Sequence, residues 1–155
     1  MRGPNCQYAK TLAATVKFSQ QASAAASQAV ALLPDPCFWT PEAPYCYEVT
    51  IELLRQGTVI ARADRILGVR RLGTRGADLL LDGRRHVIRA SRQVEDQSLD
   101  LATFHEAGLA ILVDAPSDTL CEQASRIGVL LIARLAAGIA DPGAEVRRLA
   151  AWPAV

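Results

Sequence analysis

The side chains able to do chemistry are few and scattered. Four cysteines, Cys6, Cys37, Cys46 and Cys121, show no C-x-x-C pair and no histidine at zinc-ligand spacing, so no metal site built on them is expected. Cys37 and Cys46 flank a Pro-rich turn, where a disulfide and two free thiols fit equally well. His86 falls in a predicted strand and His105 on a predicted helix. No G-x-S-x-G is present and no cysteine stands near a histidine in sequence, so neither histidine has a nucleophile to activate. Gly73-Thr74-Arg75-Gly76 lacks the Lys-Ser/Thr and the following helix of a phosphate loop. No cofactor motif remains.

Charge is the other resource. The chain has 17 Lys and Arg against 16 Asp and Glu, a net charge of +1, and the basic residues are almost all arginine. Arg55 to Arg92 holds ten arginines against three acids, Asp64, Asp78 and Asp82. Such a strip can contact phosphates, but no aromatic platform is interleaved with it and strand alternation spreads it over two faces, so nucleic-acid binding is not the favoured reading.

These side chains need a scaffold. Half the residues are hydrophobic and 21% charged, the balance of a globular chain rather than a disordered one. The greasiest run, Val129 to Ala140, is broken by Arg134 and Gly138, short of a membrane span, and no signal peptide is evident at the N-terminus. Thr11 to Phe18 and Gln28 to Leu33 have strand lengths, with a loop or short helix between them. Tyr45 to Leu54 alternates apolar and mostly polar residues, the clearest strand, and Arg55-Gln56-Gly57 turns it into Thr58 to Ala63. Arg65 to Leu72 reads as a further strand, and Asp82-Gly83 joins two short strands, Asp78 to Leu81 and Arg85 to Arg89. Beyond these the order becomes strand, helix, strand, helix. A helix from Ser98 to Ala107 is capped by Ser98 and stopped at Gly108. Leu109 to Val113 and Val129 to Ile132 are buried strands around a helix from Ser117 to Ile127, and Asp141-Pro142 opens a third helix. Such alternation implies right-handed parallel units.

Phe38-Trp39-Thr40-Pro41-Glu42-Ala43-Pro44-Tyr45-Cys46-Tyr47, followed by Leu67-Gly68-Val69-Arg70, resembles the W-S-P-E-x-P-x-L-Y and F-G-I-R signature of glycoside hydrolase family 2. Leu80 to Ala90 is similar to its F-x-L-N-G-K-P-V-F-L-R-G, Glu106 to Val113 to K-x-x-G-x-N-A-V-R, and Leu120 to Ile132 to F-L-E-L-C-D-E-L-G-L-L-V-I-D-E. The four stand in register over residues 36–135. The resemblance implies an immunoglobulin-like β-sandwich segment over 5–72, followed by an incomplete (β/α)8 TIM barrel of about three β/α units over 76–155, α/β plus β in class. It also implies that Trp39 packs between sandwich and barrel, with stacking on a sugar as the other use of its ring.

Departures from the family pattern bear on activity. Its R-G-x-N-R-H-E segment reads here Arg89-Ala90-Ser91-Arg92-Gln93-Val94-Glu95, keeping the first Arg and last Glu. Trp152-Pro153-Ala154-Val155 resembles H-P-S-V, which in the family precedes the strand with the general acid/base. Neither family carboxylate matches a position here, whereas glycoside hydrolysis ordinarily needs two. Glu95 and Asp114 at successive strand ends are a poor substitute without a closed pocket. The resemblance therefore implies a relative of β-glycosidases that is inactive on its own, with residual carbohydrate contact at Arg89, Arg92, Glu95 and Asp114. The alternative is a scaffold or oligomerisation module with no sugar site. An incomplete parallel sheet leaves an edge and an apolar face, so self-association, repacking or a longer parent chain is expected. Sugar specificity and compartment are not legible.

Overall fold

The computed structural model describes residues 1–21, 28–92 and 99–155. Residues 22–27 of the segment between the first two expected strands, the Ser98 cap and Glu95 lie outside the described residues, and residues 19–21, expected in a loop or short helix, form a strand. In chain order the strands of the first half are β1 (Arg2–Asn5), β2 (Ala14–Thr15), β3 (Ser19–Gln21), β4 (Gln28–Val30), β5 (Cys46–Arg55), β6 (Thr58–Leu67), β7 (Leu72–Arg75), β8 (Asp78–Leu81) and β9 (Arg84–Arg85). The remainder is β10 (Ala90–Arg92), α1 (Leu101–Glu106), β11 (Ala110–Asp114), α2 (Asp118–Ile127), β12 (Leu131–Arg134) and α3 (Pro142–Ala150). No helix among them is long and apolar enough to cross a membrane.

The long hairpin is written in its residues. Alternation along β5 puts Tyr47 and Val49 into the core and Glu48, Thr50 and Glu52 on the opposite face. Gln56 and Gly57 both take positive φ, 49° and 80°, in the two-residue turn, the conformation that twists two strands together. β6 then pairs antiparallel with β5 from Thr58 to Leu67. Of the separate strand expected at Arg65 to Leu72, Arg65 to Leu67 are the end of this one and Leu72 opens β7. A four-stranded sheet results, ordered β2-β1-β5-β6. The run Thr11 to Phe18 yields only the two-residue β2, because Leu12 stands 94% exposed with nothing to pack on.

The second half is parallel. β10, β11 and β12 form a sheet in that order, with α1 and α2 as the crossovers. Ser117 caps α2 by accepting the Leu120 N–H, and Gly128 ends it at φ +89°. α1 starts later than expected, at Leu101, because the carboxylate of Asp100 accepts the N–H groups of Ala102 and Thr103. Between them β7, β8 and β9 make a small antiparallel sheet. The expected strand Arg85 to Arg89 survives only in its first residue, and Val87 and Ile88 are exposed on the way to β10.

One hydrophobic cluster spans both halves. Trp39, Cys46 and Ile66 pack with Ile111, Val113, Leu120 and Leu149. Ser125, fully buried in α2, ties the polar groups around it: its carbonyl accepts the Trp39 Nε1–H at 2.8 Å and the Cys46 thiol at 3.5 Å, and its hydroxyl donates to Cys121 O at 2.7 Å. The Ala154 N–H donates to the same hydroxyl at 3.1 Å.

Candidate functional site

Parallel pairing carries the last residues of β10, β11 and β12 to one edge. Arg92 stands opposite Leu112, two residues before Asp114, and Asp114 stands opposite Arg134. Strand alternation therefore sets Arg92, Asp114 and Arg134 at the carboxyl ends of three adjacent strands, the edge where open and closed α/β sheets bind ligands. Arg134 grips Asp114 with two parallel bonds, Nε to Oδ1 and Nη2 to Oδ2, both 2.5 Å. The bonds to Arg134, with the charge of Arg92 nearby, hold the Asp114 carboxyl below the usual carboxylate range, and the same pairing raises Arg134. Asp114 is an ionised acceptor at neutral pH, and a proton donor it is not. Both partners remain open to water.

The other sequence-derived candidates go elsewhere. Arg89 precedes β10, and its carbonyl accepts the Ala110 N–H at the opposite, amino-terminal end of the sheet. There it lines a cleft of about 340 Å³ with Glu42, His86, Phe104 and His105. Tyr8 closes one side, its ring stacked on His105 with centroids 4.3 Å apart and planes 2° off parallel, while His105 Nδ1 lies 3.3 Å from Gly128 O. Arg89 therefore lies at the other end of the sheet from Asp114, and Glu95 of the expected set lies outside the described residues. Trp39 is 0% exposed. With its N–H bonded and its faces in the core, it offers no surface to a sugar.

A second depression, about 550 Å³, lies between the polar face of the β5–β6 hairpin and α2, with Thr50, Arg62, Asp64, Glu122 and Arg126 on its walls. The basic strip expected over Arg55 to Arg92 is partly neutralised: Arg62 pairs with Asp64 and Glu52, Arg71 with Asp82, and Arg85 with Asp78. Cys37 and Cys46 are not bridged to each other. Burial pushes the Cys46 thiol up to about 11. Among the described residues no group of His, Cys, Asp and Glu could hold a metal ion.

Arg134 was the residue whose partnership sequence reasoning missed. A signal existed: Asp114 follows Gly108 at the same interval as Arg134 follows Gly128, so two successive helix stops set two strand ends in register.

Residues 5–70 match the family model of glycosyl hydrolases family 2. Solved structures are similar in fold. Beta-glucuronidase 3 of Bacteroides uniformis is 18% identical with a TM-score of 0.65, over 84% of this chain and 20% of that one. A family 2 member from Bacteroides cellulosilyticus DSM 14838 is 20% identical with a TM-score of 0.62, over 84% of this chain and 24% of its own. Bifidobacterium dentium beta-glucuronidase, complexed with coumarin-3-O-glucuronide, is 20% identical with a TM-score of 0.58, over 70% and 20%. A coverage of 84% cannot be met by residues 5–70 alone, so the likeness of fold takes in the parallel sheet. The chain spans less than a quarter of the length of these structures. No curated protein matches the sequence.

Proposed function

We propose that the chain joins an immunoglobulin-like sandwich module, residues 5–72, to the opening β/α units of an incomplete (β/α)8 barrel, residues 76–155. In this reading it serves a β-glycosidase-type protein as a non-catalytic, carbohydrate-contacting part. The observation that carries the reading is the Arg92, Asp114, Arg134 row. Hydrolysis of a glycosidic bond needs a protonated acid beside a second carboxylate. The three described strand ends supply one carboxylate, ionised and bound on both oxygens, flanked by two guanidinium groups. That arrangement suits recognition instead. The guanidinium N–H groups donate to sugar hydroxyls, the carboxylate oxygens keep lone pairs to accept, and the surplus positive charge favours a sugar bearing a carboxylate. Arg89 and Glu95 are not needed for this contact.

Titration calorimetry of the 155-residue chain with a β-glucuronide, a β-galactoside and a β-mannoside tests it. The glucuronide is expected to bind in the weak, roughly millimolar range, Arg92→Ala and Asp114→Asn to abolish the heat, and chromogenic β-glycosides to be hydrolysed no faster than in buffer. Hydrolysis that Asp114→Asn removes would overturn the non-catalytic reading. Absence of binding by all three sugars would overturn the contact reading in favour of a scaffold. That second reading has its own observation in the exposed Ile51, Leu53, Leu54, Val59 and Ile60 of the hairpin, an apolar group of the kind that marks association.

A further inference from the structure

β6 is the last strand of its sheet, so its outer side is an edge. It is ten residues long, and nine of its ten residues are exposed or half-buried, Ile66 being the buried one. From Ala61 to Leu67, past the register shift at Ile60, this edge carries no Pro and no Lys and is a template for another strand. The sequence of β6 says which strand. Read outward in both directions from Ala63, Arg62 is matched by Asp64, Ala61 by Arg65, Ile60 by Ile66 and Val59 by Leu67. We propose that β6 pairs antiparallel with β6 of a second copy about a two-fold axis at Ala63, making a symmetric dimer with one continuous sheet across the interface.

The register follows from the pleat and the charges. A two-fold perpendicular to the sheet must pass through a residue position, since paired residues share a face. With the axis at Ala63, each Arg62 lies directly opposite Asp64 of the second copy, and the two alanines meet on the other face. With the axis one step away, at Arg62 or at Asp64, that residue faces its own copy, and like charges directly opposite are destabilising. The charges are already ordered for the task. Asp64 accepts from Arg62 Nε at 3.1 Å and from Thr50 Oγ1 at 2.7 Å, and Glu52 lies 3.8 Å from the same guanidinium. Dimerisation joins two such pairs into a cluster of alternating sign. The interface is isologous, as closed dimers require. It does not depend on the carbohydrate reading, and uses no residue of it.

The test is sedimentation equilibrium of the full chain over a hundredfold range of concentration, with Arg62→Asp, Asp64→Arg and the double exchange, thermal unfolding serving to show that each variant is folded. A monomer–dimer equilibrium is expected in the wild type. Each single reversal sets like charges face to face and is expected to weaken the dimer roughly tenfold or more, while the double exchange restores it to within about threefold. A wild-type chain that stays monomeric, a dissociation constant unmoved by the single reversals, or a double exchange that fails to recover the dimer would each overturn the proposal.

Discussion

Ser125 shows how much one small side chain can hold. Its hydroxyl and carbonyl serve Ala154, Cys121, Trp39 and Cys46 within a site shut off from water, where an unpaired polar group costs about 1–3 kcal/mol. Ser125→Ala leaves the Ala154 N–H without its acceptor, and a loss of about 1–3 kcal/mol is expected in a denaturant titration. Trp39→Phe removes the indole donor while keeping an aromatic ring, and is expected to cost a similar amount, whereas Trp39→Ala should cost about 3–5 kcal/mol. Cys46 offers a check by chemistry. Because its folded thiol titrates near 11 rather than near 9, the folded form keeps the proton more tightly. The stability it contributes is complete below pH 9 and is lost as pH rises toward 11. Iodoacetamide at pH 8 followed by mass spectrometry should label the half-buried Cys6 and Cys37 first, and Cys46 only when the chain unfolds.

Elements with local signals were readable from the sequence. The β5–β6 hairpin has its alternation and its Gln56-Gly57 turn, and α2 has Ser117 at one end and Gly128 at the other. α3 opens on Asp141-Pro142 as its sequence implies. Elements that depend on distant partners were not readable. Thr11 to Phe18 has the composition of a strand, yet only Ala14 and Thr15 form one, paired with β1. The site was legible in the same uneven way. Asp114 stands out as the polar residue closing the apolar run Leu109 to Val113, but only the pairing of β11 with β12 sets Arg134 against it. Gly128 has a second task beyond ending α2. A Cβ there would sit 2.2 Å from the carbonyl oxygen of Pro41, so Gly128→Ala combines a strained φ with a backbone collision. It is expected to lower the melting temperature more than Gly76→Ala, where φ is also positive, at +61°, but a Cβ meets open space.

For the whole molecule, one hydrophobic core takes residues from both halves. Arg70 crosses between the halves, its guanidinium donating to Pro153 O at 2.8 Å and to Val155 O. Gly68 lies so close to Pro153 that a Cβ would overlap its ring. Calorimetry is therefore expected to show one cooperative transition, with the calorimetric and van't Hoff enthalpies equal, and Arg70→Met is expected to lower its midpoint without splitting it. Two resolved transitions would mean that the halves unfold independently.

The bond from Trp39 to Ser125 spans 86 residues of sequence, and that span has a consequence in time. A growing chain made at about 5–20 residues per second carries a bare indole for roughly 4–17 seconds before its acceptor exists, with the apolar hairpin of β5 and β6 already complete. The molecule is most vulnerable to sticking to its neighbours during its own synthesis, and a ribosome-associated chaperone would find its target in the first seventy residues rather than in the finished fold.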